Sequence, residues 1–512
     1  MKRYTFLLLI IFHALGVDAQ SSYDGIRLME TDLSGTARSV GMGGSMGALG
    51  ADLSVIRTNP AGIGVYRSGD VAVSAGLTTL KNESDYFGSK IASDKTSFTI
   101  DNLGIVFSNE VNSGSLKYFN IGVALNHKRN LNREFGFAGA AGFMNANNEW
   151  VPLSQMYQMQ RMYDISPFDV YDMSYTNYTN LNNYWLALLA ADGGLLGDEG
   201  SILFDATDNC FYSEEKGGVK EVDCNVSCNL NDRLYLGVSV GLYYVDYSRY
   251  SYYGEDDELG EIYTLHNWYE QTGSGFDVKL GLILRPFKYS PLKMGFALHT
   301  PTFYSLTDRV SARIEGVEND YVTGVMDTHD YDYSYGDDYY VDYKVKTPWR
   351  FLFSTSYTFG NVLALNAEYE YADYSKAEME YHNGSEFREL NGEINNNMRC
   401  VKSFRVGAEC NVDKNISLRC GYNYVSAPFK KTAGKYVLST TDTNTEYLNS
   451  LTTNSFSIGA GYRDKSMYLD FAYNLSLKDA DFYPYYDPEV ANPPASVEES
   501  KHHVVLTLGW RF

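Results

Sequence analysis

Residues His502 to Phe512 read HHVVLTLGWRF. His502, Val504, Leu506, Leu508, Trp510 and Phe512 share one parity, and His503, Val505, Thr507, Gly509 and Arg511 share the other. Alternation of this kind is a strand signature: one face is almost wholly apolar, the other smaller and more polar. The final aromatic is expected where a closing strand of an outer-membrane barrel ends, and such a strand is the expected address for the barrel assembly machinery.

Working back from there, the chain supplies further strands of the same type. Met467, Leu469, Phe471, Tyr473 and Leu475 alternate with Tyr468, Asp470, Ala472, Asn474 and Ser476. Leu234, Leu236, Val238, Val240 and Leu242 alternate with Tyr235, Gly237, Ser239, Gly241 and Tyr243. Strands are expected near 70-80, 97-108, 117-130, 217-229, 232-250, 268-286, 291-313, 340-358, 362-381, 396-411, 415-434, 452-463, 466-477 and 501-512. That is about fourteen, an even number, as bacterial single-chain barrels have. Short turns fall at Asn112-Ser115, Asn231-Asp232, Lys288-Ser290, Gly360-Asn361, Asp413-Lys414 and Asp464-Lys465. Long polar loops are expected between them at 81-96, 131-216, 251-267, 314-339, 382-395, 435-451 and 478-500. Alternating short and long connections are the mark of periplasmic turns and external loops.

Composition agrees. The 512 residues include 45 Tyr, 26 Phe and 45 Gly, rich in the rings and small residues a membrane barrel uses. The mean hydropathy of -0.31 is too low for a bundle of membrane helices. No Pro-rich or Ser/Gly-rich linker divides the chain, so one barrel is expected over 70-512. Residues 1-19 read as a secretory signal: Lys2 and Arg3 are basic, Phe6 to Leu15 is apolar, and Val17-Asp18-Ala19 precedes an expected cleavage before Gln20. The net charge of -22 argues against nucleic acid as a partner. The acidic stretches 254-261 and 314-342 read as a solvated external face bridged to lipopolysaccharide by divalent ions. Asp330, Asp332 and Ser334 do not complete a calcium loop, because Gly336 is one position late and no closing glutamate follows. Six cysteines, at 210, 224, 228, 400, 410 and 420, show no metal spacing and read mainly as small apolar residues facing lipid.

Residues 20-69 do not alternate. They hold Gly41-Met42-Gly43-Gly44-Ser45-Met46-Gly47 and then Asn59-Pro60-Ala61-Gly62. No dinucleotide or phosphate-loop spacing is present, so no cofactor is expected. Glycine allows backbone to approach a wall closely, and the segment reads as a plug (hatch) inside the barrel. In the long loop 131-216, Met156 and Tyr157, and then Trp185 and Leu188, recur at helical spacing. Two short amphipathic helices there would either form an apolar ligand groove or pack together over the barrel mouth.

The signal, the glycine-rich plug ending in Asn59-Pro60-Ala61, about fourteen strands and the helical loop after the third strand together resemble the FadL/TodX family of outer-membrane transport proteins. The wording TARSVGMGGSMGALGADLSVIRTNPAGIGVYRS resembles the branch found in Bacteroidetes, and in sequence the resemblance is specific over about Leu33 to Arg67. The resemblance implies a Gram-negative outer membrane, passive uptake of hydrophobic compounds such as long-chain fatty acids, and no catalytic residues. It also implies a plug motif at Asn59, Pro60, Ala61 and Gly62, a groove near Met156, Tyr157, Trp185 and Leu188, and side release at a kinked third strand. Gly122 could mark that kink, although a glycine on the lumen face is the commoner cause. A lipid-modifying barrel enzyme would need His127, His266 or His299 beside a nucleophile. A general porin, the other alternative along with a non-transporting scaffold, would give open-channel conductance where a plugged transporter gives little, and 512 residues are too few for a TonB-dependent receptor.

Overall fold

A computed structural model describes residues 21-144, 147, 150-164, 184-197, 200-316, 339-436, 440-486 and 493-512. The expected signal and most of the acidic stretch 314-342, with Asp330 to Gly336, lie outside these residues.

Fourteen antiparallel strands form a closed cylinder. They are β1 (Asp70–Tyr86), β2 (Ser89–Ser113), β3 (Leu116–Asn130, continued by Arg133–Ala140), β4 (Asp208–Leu230), β5 (Leu234–Asp257) and β6 (Gly260–Leu284). Next come β7 (Lys293–His299 and Phe303–Gly316), β8 (Tyr339–Lys346 and Arg350–Phe359) and β9 (Leu363–Asp373 and Glu378–Tyr381). The last are β10 (Cys400–Asn411), β11 (Ile416–Val425), β12 (Tyr447–Asp464), β13 (Met467–Tyr483) and β14 (Ala495–Arg511). The ladder from Asp70↔Arg511 to Asp85↔Ser496 joins the first strand to the last and closes the wall. Every backbone group at membrane depth must find its partner in the wall, which is why closure is obligatory.

The parity read in the sequence is the parity of the wall. In β14, Val504, Leu506, Leu508 and Trp510 face outward, while His503, Val505, Thr507 and Gly509 are buried inside. In β5, Leu236, Val238, Val240 and Leu242 face outward, while Tyr235, Ser239 and Tyr243 are buried inside. Cys224, Cys410 and Cys420 lie on the outward face, and all six cysteines are free thiols. β7 and β8 are each broken at a proline, Thr300-Pro301-Thr302 and Thr347-Pro348-Trp349, where a ladder N–H is missing. The breaks lie side by side and patch each other: Thr347 N–H donates to the Thr302 carbonyl, and Thr302 N–H to Thr347 Oγ1 at 2.8 Å.

Two stretches expected as loops are strand. β1 and β2 stay paired up to Tyr86↔Ser89, so 81-96 is a hairpin turning at Phe87-Gly88. β5 and β6 stay paired up to Asp257↔Gly260, which makes 251-267 strand as well. The cause is solvent. Above the bilayer the outward positions turn to polar residues and rings with polar tips, so the apolar alternation that marks a membrane strand fades although the ladder continues.

The N-terminal segment lies inside the lumen. It comprises α1 (Ser22–Met29), α2 (Ala37–Gly41), α3 (Val55–Thr58) and a 3-10 turn over Pro60–Val65. At the loop end, α4 (Met156–Asp164) and α5 (Trp185–Asp192) pack on each other and on rings from several strands.

Candidate functional site: a plugged lumen under a helical cap

The Asn59-Pro60-Ala61-Gly62 motif is buried throughout and rests on the wall near the short-turn end. Asn59 caps the 3-10 turn: its Oδ1 accepts the Ala61 N–H at 3.2 Å. Pro60, with its φ preset and no N–H to satisfy, takes the first position of that turn. Asn59 Nδ2 donates to the Gly47 carbonyl at 2.8 Å, tying the motif to the end of the glycine run. The wall answers with glycines of its own. A Cβ on Gly281 would stand 2.6 Å from the Ala61 nitrogen, and one on Gly237 would meet Pro60. Across the lumen Gly43, at φ +64, lies against Gly421 in the same way. Backbone therefore touches backbone, and these wall positions tolerate no side chain.

Charges lock the same segment. Arg38 donates to both carboxylate oxygens of Glu409, which also accepts from Arg419, and Arg419 reaches Asp470 at 2.6 Å. Glu368 accepts the Gly47 N–H and pairs with Arg405, which also holds Glu370. Higher up, Asp32 pairs with Lys501 at 2.6 Å and accepts the Asn130 N–H. Burial alone would raise the Asp32 carboxyl; Lys501, Arg129 and the Asn130 N–H outweigh it and hold the group below the ordinary carboxylate range.

Asn59→Ala strands the Ala61 N–H and the Gly47 carbonyl, each a buried group costing about 1–3 kcal/mol when unpaired. The expected result is faster hydrogen exchange across 47-62 with the β5–β6 ladder unchanged. Equal protection in both proteins would remove Asn59 as the anchor.

Between this segment and the cap lies a cavity of about 340 Å³. Its upper part is aromatic, with Phe135, Phe211, Phe482 and Tyr247. Its lower part is charged, and across the whole lining Lys and Arg outnumber Asp and Glu, the reverse of the chain's own balance. Most of these cations face a carboxylate. Lys128 is different: it is buried, it donates to the Leu28 carbonyl at 2.7 Å and to Tyr304 Oη at 3.0 Å, and it lies 4.9 Å from the Tyr243 ring centre. Nearby, Lys279 pairs with Glu221 and with Asp223 at 2.5 Å. These lumen charges were missed in the sequence, although a signal was there: each sits on the inward parity of an otherwise apolar strand. A second cavity, of about 510 Å³, opens at the short-turn end beside Asn361, Asp413, Arg463 and Tyr468.

The four residues expected to make a groove do not share one. Met156, Trp185 and Leu188 are buried, while Tyr157 points away at 39 % exposure. Met156 packs with Phe135, Phe137 and Phe482, whereas Trp185 and Leu188 pack with Tyr247 and Tyr269. The helices cover the barrel mouth instead, because their apolar stripes have a ring-lined rim to bury against. His127 and His299 are buried in the lumen, His299 Nε2 donating to the Thr58 carbonyl at 2.8 Å, and His266 lies on the outer wall. The three do not meet.

Gly122 is not a kink. It faces the lumen in regular register, opposite Val106 and Asn225, where Ile56 and Ile63 of the plug approach. The third strand bends higher, at a register shift between His127 and Arg129 and at the break Leu131-Asn132. Above Asn102↔Asn126, β2 has no backbone ladder to β3 among the described residues. The continuation of β3 pairs only with β4 and leans inward, where Asn82 and Ser84 of β1 donate to its carbonyls. Side chains alone close the seam: Asn130 Nδ2 to Ser97 Oγ at 2.7 Å, Ser93 Oγ to the Glu134 carbonyl at 2.8 Å, and Lys95 to Glu134 at 2.6 Å. Outside it, Phe98 and Ile100 are exposed at the upper edge of the apolar band.

No family model and no curated protein sequence matches the chain. Among solved structures it is similar to a FadL homologue of Pseudomonas aeruginosa, with 12% identity, 94% of this chain and 99% of that one covered, and a TM-score of 0.54. It is also similar to the toluene transporter TodX of Pseudomonas putida, with 12% identity, 94% and 99% coverage and a TM-score of 0.49. A third is the toluene transporter TbuX of Ralstonia pickettii, with 14% identity, the same coverage and a TM-score of 0.47. The chain has the fold of the FadL homologue along nearly its whole length.

Proposed function

We propose that this chain is an outer-membrane transporter of the FadL/TodX type. It takes up hydrophobic compounds passively, its cargo is an amphiphile with an anionic head, of the long-chain fatty acid kind, and it releases that cargo sideways through the wall. The observation that carries the reading is Lys128, a buried lysine that makes no ion pair among the described residues, at the base of a cavity whose upper half is aromatic.

The chemistry follows from that placement. An acyl chain entering the ring-lined half leaves water and gains roughly 25 cal/mol per Å² of apolar surface. Its carboxylate reaches the lysine and forms a charge-assisted hydrogen bond beside those to Leu28 and Tyr304, since an ammonium carries three N–H donors. Leu28 belongs to α1. Cargo and plug therefore meet at the same ammonium, which couples binding to the tie that holds the N-terminal segment down. The seam between β2 and β3, closed by side chains without a ladder, is the weakest course of the wall and opens toward lipid.

Lys128→Gln keeps a donor for Leu28 but removes the charge. Binding of a carboxylated fluorescent fatty acid to the purified barrel is expected to weaken about tenfold, while its methyl ester binds as before. Equal affinity of acid and ester in the unaltered protein would overturn the anionic-head assignment.

A further inference from the structure

Three adjacent strands carry the same vertical sequence of side chains on their outer face. On β6 the outward residues from the short-turn end are Leu284 to Phe276, all apolar; then Ser274, Thr272 and Glu270; then Trp268 and His266. On β5 they are Leu234 to Tyr244, then Asp246 and Ser248, then Tyr250 and Tyr252. On β4 an apolar run ends at Val222, Lys220, Lys216 and Glu214 follow, Lys216 paired with Glu214 at 3.1 Å, and Tyr212 comes above. An interfacial aromatic girdle sits at the edge of the apolar band. Here a polar belt separates the upper rings from that edge. From Phe276 to Trp268 the strand climbs about 26 Å along its axis, or about 20 Å in height at barrel tilt. The headgroup layer of a bilayer is only about 5–8 Å thick on each side, so these rings stand well above it.

The rings form one surface. Tyr212 stacks on Tyr252 at 5.6 Å, Tyr250 on His266 at 6.1 Å, and Trp268 lies 5.6 Å from Tyr250. Tyr250 Oη and His266 Nδ1 are 2.9 Å apart, and the next strand places Arg313 opposite His266. Large rings with hydrogen-bonding tips, turned away from the lumen, play no part in holding the plug or cargo.

We propose that this face binds the oligosaccharide of lipopolysaccharide in the surrounding leaflet. It rests on the outer-membrane placement given above. The layers correspond: acyl chains against the apolar band, headgroups against the mixed belt of Lys220, Lys216, Glu214, Asp246 and Glu270, and sugar rings against the aromatic patch. Pyranose rings offer flat C–H faces that pack on aromatic faces, with hydroxyls at the rim for Tyr, His and Trp donors.

The test uses the purified full chain and three probes: lipopolysaccharide with its oligosaccharide, lipid A without it, and the free oligosaccharide. Lipopolysaccharide is expected to bind at least about tenfold tighter than lipid A, and the triple variant Tyr250→Ser, Tyr252→Ser, Trp268→Ser is expected to erase that difference. The single variant Trp268→Ser is expected to reduce it and guards against misfolding of the triple, which heat-modifiable migration on gels reports. Equal binding of the two lipids by the unaltered protein would overturn the proposal. So would free oligosaccharide binding as tightly as the whole lipid, which would mark a receptor for external glycans. A triple variant that changes only the oligomeric state would assign the face to a second copy of this chain. Envelope fractionation tests the membrane placement separately, and since the three residues lie outside the lumen, cargo uptake is expected to persist in the variants.

Discussion

Gly281→Leu is expected to turn a nearly silent barrel into a conducting one. The wall at this position touches the plug backbone directly, and a Cβ alone would crowd the Ala61 nitrogen at 2.6 Å. Leucine adds three more carbons at the same place. Overpacking a filled interior costs typically about 1–3 kcal/mol, and more where backbone must move. One side has to yield. The wall strand is held on both flanks by the β5–β6 and β6–β7 ladders, whereas the plug is held by side-chain bonds and short helices. The plug is therefore the part that shifts, and the path from the lumen to the short-turn end opens. In planar bilayers the single-channel conductance is expected to rise at least about tenfold over the unaltered protein. Gly122→Ala is the matched control, since its Cβ meets only side-chain atoms at 3.3 Å and beyond. A silent Gly281→Leu barrel, correctly folded, would mean that the plug is not seated as described.

The second large effect concerns the route out. Asn130 and Ser97 face each other across the seam at 2.7 Å between Nδ2 and Oγ. Cysteines at both positions, bridged by a disulfide or a short thiol cross-linker, would replace a weak side-chain contact by a covalent one. Uptake of a labelled fatty acid into cells is expected to fall at least about tenfold on bridging and to recover with reductant. Conductance through a Gly281→Leu barrel carrying the same pair should not change on bridging. Uptake that persists in the bridged protein would place the exit at the short-turn end, where the second cavity lies. The native thiols call for a background check, since Cys224, Cys410 and Cys420 are exposed.

The wall was largely legible because a lipid-facing strand has a strict period of two and its turns are short. What the alternation could not carry is anything outside the bilayer. The 81-96 and 251-267 hairpins look like loops because their outward side chains are polar, yet their ladders run on to Tyr86↔Ser89 and Asp257↔Gly260. Helical spacing located α4 and α5 but says nothing about what their stripes face, so Met156, Trp185 and Leu188 read equally as a groove or as a lid. The bend of the third strand has no local signature: Leu131-Asn132 contains neither Gly nor Pro, whereas Gly122, the residue with a kink signature, lies in regular register. The motif at Asn59 to Gly62 was visible as a turn with a cap, but its seat was not. Gly237 and Gly281 are unremarkable small residues until the plug backbone is laid on them.

The hairpins that climb past the bilayer have a consequence for what can reach the entrance. β5 continues from Tyr244 to Asp257, which carries the rim roughly 30 Å above the hydrocarbon. On the proposed function, a greasy solute dispersed in water outside the cell would meet the capped mouth near the top of the carbohydrate brush rather than beneath it. It need not percolate between packed sugar chains, the slowest leg of any journey through that leaflet. Encounter is then governed by diffusion in the medium, and intake should depend little on how long those chains grow until they overtop the rim.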